Sequence, residues 1–171
     1  MKLLICGLGS IGYRHLQILK SNFDVEVGAL RSGKSTVKKS IKPDVVFYKI
    51  TDASNYKPDG VLITNPTSEH ISTALYFAKE GIPLFIEKPL GYSLDGIDEL
   101  VKICVDKDVP VLMGCNLIHH PAIIKIKELL ENNKIGEVYV LEVNLEHICL
   151  IGIHGRIIKN LMQVEPIWEV E

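Results

Sequence analysis

The stretch Gly7-Leu8-Gly9-Ser10-Ile11-Gly12 constrains this chain more than any other. It directly follows the apolar run Lys2 to Cys6 and opens a helical pattern from Tyr13 to Lys20. A G-x-G-x-x-G in that place makes a tight turn, lets backbone approach a pyrophosphate closely, and points the N–H groups and dipole of a helix at the anion. The alternative is a structural turn that holds nothing. Its position between a strand and a helix favours nucleotide binding, with Gly7, Gly9, Ser10, Ile11 and Gly12 as the contacts.

The rest of the chain has the rhythm that such a turn requires. Strand patterns at Val25 to Leu30, Val45 to Tyr48, Gly60 to Thr64, Pro83 to Ile86 and Val109 to Met113 alternate with helical patterns at Ser68 to Glu80 and Ser93 to Asp106. Strands alternating with helices predict an α/β fold, a Rossmann-type doubly wound parallel sheet with helices on both faces, over residues 1–118. Beyond it, Pro121 to Asn133 reads as a helix and Gly136 to Leu145 as an alternating strand carrying Val138, Val140 and Val143.

Composition excludes several classes. The 171 residues carry 19 Lys+Arg against 21 Asp+Glu, a formal charge of −2, so there is no basic footprint for nucleic acid or an anionic membrane surface. No apolar run approaches the roughly 18 residues of a membrane span. Cys6, Cys104, Cys115 and Cys149 lack any C-x-x-C pair or metal-ligand spacing, and their apolar surroundings suggest reduced, buried thiols in a cytoplasmic protein.

Three further segments carry chemistry. The ribose-binding carboxylate expected about 20 residues after the glycines is missing. Leu30-Arg31-Ser32-Gly33-Lys34-Ser35 stands there instead, with no carboxylate between Val27 and Pro43. Arg31, Ser32 and Lys34 suit a 2′-phosphate, which tilts the cofactor from NAD(H) toward NADP(H), unless the segment is only a solvated basic loop. After the fourth strand, Asn65 and Thr67 could touch the nicotinamide ribose, or Thr67 and Ser68 could simply cap the next helix. His70 reads more readily as a satisfied structural group than as a catalyst. After the fifth strand, Glu87-Lys88-Pro89 would aim Lys88 into the cleft, where a cation can bond a substrate hydroxyl or a developing alkoxide; a Glu-Lys pair in a loop is otherwise a surface ion pair.

Together these segments resemble the Gfo/Idh/MocA family, named for glucose–fructose oxidoreductase and inositol dehydrogenase, from Met1 to about Leu145. The matching pieces are the glycine turn, Thr64-Asn65-Pro66-Thr67-Ser68-Glu69-His70, Glu87-Lys88-Pro89-Leu90-Gly91, Gly114-Cys115-Asn116-Leu117-Ile118-His119-His120-Pro121 and Ile135-Gly136-Glu137-Val138. The resemblance implies an NAD(P)-dependent oxidoreductase acting on a sugar, sugar nucleotide or cyclitol. Lys88 would be the catalytic residue, Asn65, Thr67, His70, Glu87 and Lys88 would lie along the cofactor, and Asn116 and His120 near the substrate. Ile118-His119 departs from the family's usual aromatic or Arg before His-Pro.

The resemblance also implies a second α/β domain, which covers the site and mediates homo-oligomers. Residues 119–147 read as its start, and the family's oligomer is not expected from this chain. From about Ile148 the apolar residues follow neither period. Joining the third base of each codon to the first two of the next permits Y-L-P-D-W-H-P-W from His147 to Gly155 and E-D-Y-K from Arg156 to Lys159, close to the family's usual continuation. The expectation is that residues 148–171 are an out-of-frame tail and that the chain holds nucleotide without turning over substrate. The alternatives are a non-catalytic nucleotide-binding protein or pseudogene product and, from the glycine loop alone, a methyltransferase.

Overall fold

The computed structural model describes residues 1–33 and 40–136. Lys34, the expected strand at 136–145 and the 148–171 tail lie largely or wholly outside the described residues. One compact unit spans Met1–Ile123 and a second begins at Ile124. Within the first unit, six parallel strands form one sheet in the order β3-β2-β1-β4-β5-β6. They are β1 (Lys2–Cys6), β2 (Glu26–Leu30), β3 (Val45–Phe47), β4 (Gly60–Ile63), β5 (Leu84–Ile86) and β6 (Val111–Met113). The helices between them are α1 (Ser10–Asn22), α2 (Ile50–Asn55), α3 (His70–Lys79) and α4 (Ile97–Asp106). A further helix, α5 (Pro121–Glu131), follows β6. No helix among the described residues is long and apolar enough to cross a membrane.

Burial explains the order. The central strand β1 is flanked by β2 and β4, and its Leu4, Ile5 and Cys6 are fully buried, so it reads as a continuous apolar run and not as an alternation. Alternate residues serve opposite faces. Leu4 and Cys6 join Ile63, Ile86, Ala74, Phe77 and Leu100 in the core beneath α3 and α4. Ile5 joins Leu16, Val27 and Ala29 beneath α1.

The strands also end in step. Cys6 pairs with Leu30 on one side and Ile63 on the other, and Ile63 pairs with Ile86. The first residue past each strand then donates a backbone hydrogen bond to the last residue of its neighbour: Gly7 to Leu30 O at 2.9 Å, Thr64 to Cys6 O at 2.9 Å, Glu87 to Ile63 O at 3.0 Å and Gly114 to Ile86 O at 2.8 Å. Gly7, Thr64, Glu87 and Gly114 therefore stand in a row along the carboxyl rim. The chain winds one way from β1 through β3 and the other way from β4 through β6, and it is at such a reversal that open α/β sheets take their ligands.

Two sequence expectations are corrected. Cys115 is exposed, not buried, since it lies past the end of the edge strand β6, where no further strand covers it; Cys104 is half-buried, and Cys149 lies outside the described residues. The helix expected from Ser93 begins only at Ile97, since Ser93 and Asp95 form a local turn in which Ser93 Oγ bonds Asp95 Oδ2 at 2.8 Å.

Candidate functional site

The glycine turn is built by exclusion. Gly7 takes φ +98°, and a Cβ there would lie 2.6 Å from Asn65 Cα and N. At Gly12 a Cβ would meet Gly7 O at 1.9 Å and Thr64 Oγ1 at 2.6 Å. The Thr64 hydroxyl donates to Gly7 O at 2.6 Å, with Cys6 O at 3.1 Å, fastening the turn to β4. Gly9 differs, because nothing lies within 4 Å of its Cβ position and it caps α1 without any side-chain hydrogen bond.

That open space belongs to a cavity of about 440 Å³ lined by Gly7, Leu8, Gly9, Ser10, Ile11, Arg31, Ser32, Gly33, Thr64, Asn65 and Pro66. The residues fit a dinucleotide phosphate: a helix of 13 residues opens beside the cavity, and the empty space at Gly9 leaves room at its first turn. None of the lining residues is acidic, and Arg31 supplies a cation where β2 ends. Asn65 donates from Nδ2 to Thr73 Oγ1 at 2.9 Å and to Glu69 Oε2 at 3.3 Å. Its Oδ1 is buried with no donor among the described residues.

A second cavity of about 300 Å³ shares Ile11 with the first and is lined by Arg14, His15, Ile18, Phe85, Glu87, Lys88, Met113, Gly114, Cys115, Asn116 and His119 as well. Ile11, Arg14, His15 and Ile18 recur at helical spacing, so one face of α1 forms the wall opposite the ends of β5 and β6. His15 Nε2 lies 2.8 Å from Glu87 Oε1. The exposed Lys88 follows Glu87, and its Nζ has no ion pair among the described residues.

The expected residues divide accordingly. Gly7, Gly9, Ser10, Ile11, Arg31, Ser32 and Asn65 line the first cavity, with Gly12 packed behind them, and Glu87, Lys88 and Asn116 line the second. Thr67 lines neither and starts a short 3-10 turn, Thr67–Glu69, capped by Pro66, and Glu69 in turn caps α3, so neither Thr67 nor Ser68 takes the expected capping position. His70 is 2% exposed, and its ring nitrogens lie 2.9 Å from Pro89 O and 2.9 Å from Asn65 O, so it joins the two loops from beneath and offers a ligand no free nitrogen. His120 is not brought to the cavity; its Nδ1 accepts from Ala122 N at 3.2 Å near the start of α5, and the neighbouring His119 lines the cavity instead. Sequence reasoning missed His15, Arg14, Gly114 and His119. The Ile11-Arg14-His15-Ile18 spacing was the signal for the first two.

Residues 1–115 match the family described as an oxidoreductase family with an NAD-binding Rossmann fold. The chain is 29% identical over 153 residues to myo-inositol 2-dehydrogenase of Thermotoga maritima, covering 84% of this chain and 44% of the relative. It is similar in fold to myo-inositol 2-dehydrogenase of Lactobacillus plantarum (TM-score 0.73, 23% identity, 81% of this chain and 43% of that one). It is likewise similar to scyllo-inositol dehydrogenase of Lactobacillus casei with bound NAD(H) and scyllo-inositol (TM-score 0.70, 22% identity, 80% of this chain and 42% of that one). The chain thus spans less than half the length of the relatives it matches. With its glycine turn, its row of strand ends and the match over residues 1–115, the chain belongs to the Gfo/Idh/MocA family of oxidoreductases.

Proposed function

We propose that this chain is the dinucleotide-binding part of an NAD(P)-dependent dehydrogenase that acts on an alcohol of a sugar or cyclitol, with NADP(H) favoured over NAD(H). The observation that carries the reading is the pair of cavities that share Ile11 in their lining, one also lined by the start of α1 and the other by Lys88. Gly9, Ser10 and Ile11 would hold the pyrophosphate, and Arg31 and Ser32 the adenosine ribose and its 2′-phosphate. Bound there, the nicotinamide supplies a hydride acceptor. The Lys88 ammonium would bond the alcohol oxygen and steady the alkoxide that develops there, while Asn116 would orient the substrate. Turnover is expected where a second domain of the kind the family resemblance implies completes the site. NADP preference rests on the non-acidic lining of the first cavity, and the polyol class on the inositol dehydrogenases to which the chain is similar.

Isothermal titration of the 171-residue chain with NADPH, NADH and S-adenosylmethionine tests the reading. Binding of NADPH ahead of NADH, with no heat from S-adenosylmethionine, is the expected result. A chain that binds neither dinucleotide ends the proposal, and equal or tighter binding of NADH ends its NADP part.

A further inference from the structure

Lys88 and Glu87 are adjacent in sequence just past β5, and a carboxylate free to swing toward an exposed ammonium is drawn to it. No such pair forms here, and the Glu87 carboxylate is engaged from α1 instead. Glu87 Oε1 is held by His15 Nε2 at 2.8 Å, and Glu87 Oε2 faces the backbone N–H of Lys88 at 3.3 Å. The same carboxylate rests against Gly114, where a Cβ would come within 3.0 Å of Oε2 and 3.1 Å of Cδ. The His15 ring is itself fixed edge-on to Phe85, with centroids 5.3 Å apart. The two side chains keep 22% and 17% of their surface, so the pair is sheltered, while the neighbouring Lys88 is exposed and lines the same cavity. Arg14 from α1 and Cys115 and His119 beyond β6 are the other titratable groups lining that cavity.

We infer that His15 is a positioning residue for Lys88: by holding Glu87 against Gly114 it keeps the neighbouring carboxylate off the Lys88 ammonium, leaving that ammonium available to substrate. The consequence for proton transfer rests on the proposed function, whereas the geometry can be tested without it. α1 thus serves both cavities, with its first turn at the phosphate site and its second holding the residue before Lys88.

Trace acylation with acetic anhydride, read lysine by lysine by mass spectrometry, reports how free each amine is. The exposed and distant Lys57 serves as the internal reference. His15→Ala should slow acylation of Lys88 relative to Lys57 about threefold, the size of an exposed ion pair newly formed with the released Glu87. His15→Ala combined with Glu87→Gln should restore the wild-type ratio, because the amide cannot form that pair. Glu87→Gln alone should leave the ratio near wild type and serves as the variant with His15 intact. An unchanged Lys88 ratio in His15→Ala, or a double variant that stays slow, overturns the inference. Failure to bind any dinucleotide would instead end the functional reading and leave the acylation result standing.

Discussion

A methyl group at Gly12 would sit 1.9 Å from the carbonyl oxygen of Gly7, well inside van der Waals contact. The first and third glycines of the turn are therefore fitted to each other and to Thr64, while the second faces open space. Stability and binding can then be separated within one motif. Gly12→Ala should destabilise the chain by about 2–3 kcal/mol, the usual cost of overpacking against rigid backbone. Gly9→Asp should melt within about 0.5 kcal/mol of wild type yet lose nucleotide binding, because it sets a carboxylate where the phosphate belongs. Thermal melts beside titration calorimetry check both; a Gly9→Asp chain that still binds NADPH contradicts the phosphate site.

Arg31 lies at the end of β2, and its backbone N–H bonds Phe47 O at 2.9 Å, which fixes where its side chain starts. Charge-assisted bonds to a phosphate are worth about 1.5–3 kcal/mol. Arg31→Ala should accordingly weaken NADPH at least about tenfold and NADH less than about threefold. Equal losses for the two nucleotides would mean that Arg31 does not read the 2′-phosphate.

Thiol labelling should separate the described cysteines. Burial pushes the Cys6 thiol far above its ordinary range and raises that of the half-buried Cys104 as well. The thiolate is the reactive form. In the native chain at pH 8, Cys115 should label with an aromatic disulfide reagent first, Cys104 slowly, and Cys6 only on unfolding, as read by peptide mass mapping. Because Cys115 lines the Lys88 cavity, saturating NADPH should slow its labelling, whereas 2′,5′-ADP, which lacks the nicotinamide half, should not.

Asp44 ties β3 to its neighbours. Burial alone would raise its pKa, but the Lys20 ammonium and the Val27 N–H, 2.6 Å from Oδ2, hold the carboxyl below the ordinary carboxylate value. A carboxyl depressed in the folded state stabilises the fold above its unfolded pKa of about 3.9, and that stability fades as pH falls through the folded value. Asp44→Asn should therefore be less stable than wild type at pH 7, and the gap should narrow below about pH 4. A gap that persists unchanged at pH 3 in thermal melts would assign the loss to packing.

The β1-α1-β2 and β4-α3-β5 units were legible because each joins a short apolar run to a periodic helix through residues with turn chemistry. The helix α2 was not: its six residues place only Ala53 in the fully buried core, too short a stretch for a period to emerge. At the site, the glycine turn, Asn65 and Lys88 could be read because they follow strand ends, whereas Glu87 and Asn116 were expected only from the resemblance to a known family. His15 could not be assigned from the strand pattern, since its role depends on which face of α1 turns toward β5. His119 and His120 are neighbours in sequence, and only the backbone turn at Asn116–His119 decides which of them faces the cavity.

The row of hydrogen bonds along the carboxyl rim has a mechanical meaning. Gly7, Thr64, Glu87 and Gly114 are each clasped to the adjoining strand, so the loops that meet a ligand are seams of the sheet and not free ends. A nucleotide lying across Gly7 and Thr64 would bridge the seam between β1 and β4, where the two halves of the winding meet. Its grip should be felt as a sheet that is harder to pull apart along that line.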